Sequence, residues 1–161
     1  MKLSTKKLTI LALFTTIALG LYWVESLLPI PVPIPGIKLG LANIITLILL
    51  QYFSAKETTL VLIARILLST LLFGQAMSLM YSLAGGLFSL LSMALLMKLL
   101  QKKMTYLTGA IGGLAHNLGQ LLVAWGITST AGVLTYLPFL ILSGILTGLF
   151  TGLCAGFAGK Y

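Results

Sequence analysis

The sequence predicts an all-α integral membrane protein, a single domain over residues 1–161 made of six transmembrane helices. Three observations predict it. Apolar residues make up 59% of the chain and charged residues only 7%, against roughly 25% charged in an average soluble domain, and the mean hydropathy is +1.12. The apolar residues fall into six runs separated by short breaks. Finally, the basic residues collect in those breaks rather than on a face, so the net charge of +8 reads as loop charge and not as a nucleic-acid surface.

A helix needs about 20 mostly apolar residues to cross the hydrocarbon core. The first run, residues 7–28, follows the basic start MKLSTKK and stays apolar past the length of a signal-peptide core, so it is expected as a retained helix. The second, 39–54, is short and begins after LPIPVPIPG, whose prolines end any helical ladder. The third is 57–74. The fourth, 76–100, carries Gly85-Gly86 near its middle, where a kink or a half-break is expected. The fifth and sixth are 104–126 and 134–158; the sixth has Gly144, Gly148, Gly152 and Gly156 at a spacing of four, a packing stripe for a neighbouring helix.

Orientation follows from the lysines. If the six helices alternate, Lys2, Lys6, Lys7, Lys56, Lys98, Lys102, Lys103 and Lys160 fall on one side and only Lys38 on the other. That bias places both termini in the cytoplasm and the proline segment outside.

Arg65 fits neither side, because it lies in the middle of the third run. An arginine at mid-bilayer costs at least ~2.5 kcal/mol, so it faces the bundle interior and marks a polar site. Glu25 is a candidate counter-ion for it. In GGLAHNLGQ the side chains of His116, Asn117 and Gln120 fall within an arc of about 100° on one helix face, and three hydrogen-bonding groups there require partners. They bond a neighbouring helix, water or a ligand. Lys38 and Asn43 flank the start of the second helix, and Gln75 ends the third. Together these seven residues, Lys38, Asn43, Arg65, Gln75, His116, Asn117 and Gln120, outline a positively lined, outward-opening cavity for a small anionic compound.

Other chemistry is missing from the sequence. There is no aspartate, the carboxylates are Glu25 and Glu57, and Cys154 is the single cysteine, so no metal cluster, Mg²⁺ site or disulfide is expected. No G-x-x-x-x-G-K-[ST] loop occurs, so the chain is not expected to hydrolyse nucleotide. No cofactor and no catalytic residue are assigned; the chain reads as a binder rather than an enzyme.

The segments ESLLPIPVPIPGIKLGLANIITL, YSLAGGLFSLL and GGLAHNLGQ resemble the bacterial Gx transporter family, whose members are often labelled heptaprenyl diphosphate synthase component I. That family is similar in turn to the substrate-binding S components of energy-coupling factor (ECF) transporters. The resemblance implies a multi-pass bundle in the bacterial cell membrane that captures a small compound, isoprenoid- or quinone-precursor-like. The partners it implies are a transmembrane coupling subunit and two ATPase subunits. It gives the segment between the first two helices the role of an outer gate, and it gives Ala12, Thr16 and Gly20 of the first helix a role in docking the coupling subunit. Thr16 departs from the alanine expected there. The label itself implies a different role, a non-catalytic membrane subunit of a prenyl diphosphate synthase; the aspartate-rich motif of the catalytic enzymes is absent.

Overall fold

The computed structural model describes residues 4–28, 38–73, 76–100 and 103–159. The proline run 29–37, Gln75 and the lysines at 2, 102 and 160 lie outside the described residues. Among those described, the fold is all-helical: α1 (Thr5–Ser26), α2 (Asn43–Tyr52), α3 (Ala55–Phe73), α4 (Ala76–Leu99), α5 (Thr105–Thr128), a 3₁₀ segment (Ala131–Tyr136) and α6 (Leu137–Ala158).

The helices begin and end where local chemistry requires. Ser4 caps α1 by accepting the Lys7 N–H at 3.4 Å. At the start of α3, Ser54 and Glu57 form a capping box, with Glu57 accepting the Ser54 N–H at 2.9 Å while the Ser54 hydroxyl accepts the Glu57 N–H at 3.4 Å. Pro138 opens α6, where its missing N–H costs nothing. An ion pair between Lys7 and Glu57 ties the start of α1 to that of α3, so both begin at the same end of the bundle.

Two expectations change. The second helix is shorter than 39–54, because Gly40, Leu41 and Ala42 form turns, their carbonyls accepting from the N–H groups of Asn43, Ile44 and Ile45. The fourth runs unbroken through Gly85-Gly86. The six predicted spans are also narrowed: α1, Met77–Leu99 of α4, and the 3₁₀–α6 segment Ala131–Ala158 are long and apolar enough to cross a membrane. α2 has only 10 residues, and α3 carries Lys56, Glu57 and Arg65 in its 19.

Glycine brings α5 and α6 together. A Cβ on Gly109 or Gly113 would strike the carbonyl of Gly148 or Gly144, and one on Gly152 would meet the Thr105 carbonyl. The stripe read on α6 therefore faces a second glycine set on α5. Elsewhere the core is ordinary hydrocarbon: Leu47, Ile66 and Met93 are fully buried where α2, α3 and α4 meet. Large apolar side chains such as Leu71, Leu91 and Leu142 point outward, at 80%, 67% and 60% exposed, which suits a lipid-facing surface.

Candidate functional site

α1 brings Tyr22 and Glu25 inward on one face, three residues apart, and both are nearly completely buried. Glu25 accepts the backbone N–H groups of Gly40 at 2.5 Å and Leu41 at 3.1 Å. The first helix thereby holds the segment that leads into α2. Two other helices hold the same segment. The Gln120 amide of α5 bonds the Lys38 backbone, its nitrogen donating to the Lys38 carbonyl at 3.0 Å and its oxygen accepting from Lys38 N–H at 3.3 Å and from His116 Nε2 at 3.1 Å. Thr147 of α6 donates to the Leu39 carbonyl at 3.3 Å.

Under this segment lies a small hollow lined by Tyr22, Glu25, Lys38 and Asn43 on one side and by Arg65, Ser82, His116 and Gln120 on the other. Its volume is about 10 Å³, room for about one water. Arg65 is 4% exposed, so its guanidinium points into the bundle and not to lipid. Lys38 is 8% exposed, and its ammonium sits 3.3 Å from the centre of the Tyr22 ring, a cation–π contact. The Tyr22 hydroxyl shares a hydrogen bond with Ser78 of α4 at 2.8 Å.

Several of these polar groups are buried and unmatched. Lys38 Nζ, Arg65 Nη2 and both amide atoms of Asn43 have no hydrogen-bond partner among the described residues. Each such group ordinarily costs about 1–3 kcal/mol, more when charged. Glu25 forms no ion pair with either cation, since both of its oxygens are turned to the Gly40 and Leu41 amides; it acts on them only through space. In place of the direct Arg65–Glu25 pairing that the sequence leaves open, the structure has a carboxylate that latches the backbone.

Of the seven candidate residues, Lys38, Asn43, Arg65, His116 and Gln120 meet at the hollow. Asn117 does not. It donates to the Leu140 carbonyl at 2.8 Å and to the Ser143 hydroxyl at 3.2 Å, pinning α5 to α6. Gln75 lies outside the described residues. The sequence reading missed Tyr22, Gly40 and Ser82; the three-residue spacing of Tyr22 and Glu25 was the signal for the first of these.

The family described as heptaprenyl diphosphate synthase component I matches residues 14–158. The chain belongs to that family. No curated protein and no solved structure matches it. In this family member the match spans every residue that lines the hollow.

Two further hollows differ in kind. One of about 310 Å³ at the opposite end is bordered by Lys103, Tyr106 and Phe157, but its cation is exposed and no buried charge faces it. Another, about 430 Å³ and largely apolar, runs along the outer surface of α1 and α3 past Ala12, Thr16 and Ala64. Among the described residues no group of three or more metal-binding side chains occurs.

Proposed function

We propose that the chain is a substrate-binding membrane subunit, the S component of an ECF-type importer, which captures a small anionic compound of isoprenoid or quinone-precursor type. The observation that carries this reading is the convergence of Lys38 Nζ, Arg65 Nη2 and the Asn43 amide, all buried and without hydrogen-bond partners among the described residues, on one hollow. Unsatisfied cationic donors in a lipid-embedded core are expensive to maintain, and an anion supplies what they lack. The hollow holds only about one water, so capture requires the 38–41 segment to lift from Glu25, Gln120 and Thr147. The ligand's charged group then bonds Arg65, Lys38 and Asn43, and its apolar part lies along the helices.

The chain carries no catalytic role in this reading. Its two carboxylates are already engaged, Glu25 with backbone amides and Glu57 with Lys7 and Ser54. Energy comes from a coupling subunit and two ATPases. Ala12, Thr16 and Gly20 are exposed along α1, where a Cβ at Gly20 would meet nothing within 4 Å, a surface open to a partner helix. The family description favours a second reading, a non-catalytic membrane component that works beside a catalytic prenyl diphosphate synthase component.

Purification of the full chain in mild detergent, with mass spectrometry of what accompanies it, tests the two. The first reading expects a small anion bound to the wild type and lost from Arg65→Ala, together with a membrane coupling protein and ATPases. A soluble aspartate-rich synthase in their place, with no small molecule, overturns it.

A further inference from the structure

Resting on the anion-capture reading, we infer that the site selects a ligand whose head group carries a single negative charge, a carboxylate in size and valence, and that Glu25 sets this limit. The fixed charges facing the hollow come from three elements: Glu25 from α1, Lys38 from the segment before α2, and Arg65 from α3. α4 contributes Ser82, and α5 contributes Gln120 and His116, whose Nε2 is occupied by that amide and which has no carboxylate in contact. Both Glu25 oxygens accept N–H bonds, the pattern of an ionised carboxylate. Two cations and one carboxylate leave a net charge of +1.

A buried site of net +1 is neutralised by one negative charge, whereas every further charge stays uncompensated in a medium of low dielectric. A diphosphate would bring two or three charges and stand beside Glu25 as a like-charged neighbour. Donor number and space agree with the charge count. The donors without a hydrogen-bond partner among the described residues are Arg65 Nη2, Lys38 Nζ and the Asn43 amide nitrogen, three groups from each of which a carboxylate, with about four acceptor positions, can take one bond. The hollow, about 10 Å³, needs the least widening for the smaller head.

The test uses the full chain in detergent and two probes that differ only in the head group: a ten-carbon prenyl chain ending in a carboxylate, and the same chain ending in a diphosphate. Titration calorimetry on the wild type is expected to show the carboxylate binding at least about tenfold more tightly, the usual scale of a like-charge penalty in a closed site. Glu25→Gln raises the net charge of the site from +1 to +2 and is expected to narrow or invert that ratio. Lys38→Met, which leaves the Glu25 latch in place, is expected to weaken the carboxylate and so gives a second measure where Glu25→Gln does not fold. Diphosphate binding the wild type as tightly as carboxylate overturns the inference and leaves anion capture standing. An unchanged ratio in a folded Glu25→Gln overturns it too. If neither probe binds the wild type, the capture reading itself fails, and this inference with it.

Discussion

At Gly40 the backbone turns through φ +86°, a conformation that glycine adopts freely and other residues only under strain. A Cβ there would lie 2.8 Å from the Asn43 amide nitrogen and 3.0 Å from the His116 ring. Gly40→Ala is therefore expected to cost about 1–3 kcal/mol from backbone strain alone, seen as a lower unfolding temperature in detergent, and to weaken ligand binding by displacing Asn43. An unchanged melting temperature would remove Gly40 from the construction of the site. Arg65 responds differently. It touches no partner through Nη2, so Arg65→Ala is expected to abolish anion binding while the helices persist, and Arg65→Lys, which loses the planar fork, to recover only part. Legibility at this scale follows cost. Arg65 stood out because a charge in an apolar run needs a reason; Tyr22 and Ser82 are ordinary in a membrane helix and become significant only where the fold points them.

Among the elements, the seam between α5 and α6 depends on the absence of side chains. Gly148 faces the Gly109 carbonyl and the Ala110 Cα, so Gly148→Val forces the helices apart at a cost of about 1–3 kcal/mol or more. Gly20→Val on α1 is the contrasting variant: nothing lies within 4 Å of its Cβ, so stability is expected to hold within about 0.5 kcal/mol. Under the importer reading the same variant loses its coupling partner on co-purification. Retention of the partner by Gly20→Val would argue that α1 does not dock there. The stripe of four glycines was readable as packing because its spacing of four repeats on one helix face. Its mate on α5 was not, since a single sequence does not say which helices are neighbours. The same limit explains Asn117. Its place on the face with His116 and Gln120 was correct, yet that face spans two interfaces, the hollow and α6. The shortened α2 was hidden for another reason: Leu41 and Ala42 are as apolar as a helix, and only the conformation of Gly40 turns them out of it.

For the molecule as a whole, the functional reading depends on which face of the membrane the hollow opens toward. The lysine distribution predicts that the starts of α1 and α3 lie inside, and the Lys7–Glu57 ion pair holds those two starts together. Glu25 and the 38–41 segment lie near the other end of α1, so the hollow opens outward only if α1 crosses completely. Lys56 and Thr130 are both exposed and are separated by α3, α4 and α5. Three crossings put them on opposite sides; if one of the polar helices α3 or α5 fails to cross, they share a side. On a Cys154→Ser background, Thr130→Cys is expected to react with a membrane-impermeant maleimide in intact cells, and Lys56→Cys only after permeabilisation. Labelling of both from outside would mean that one of the charged or amide-bearing helices stops short of the far surface. Labelling in the reverse pattern would turn the hollow toward the cytoplasm, where Arg65 and Lys38 would meet a cytosolic partner's product instead of an external solute. An inward-facing hollow therefore argues against the importer independently of any ligand.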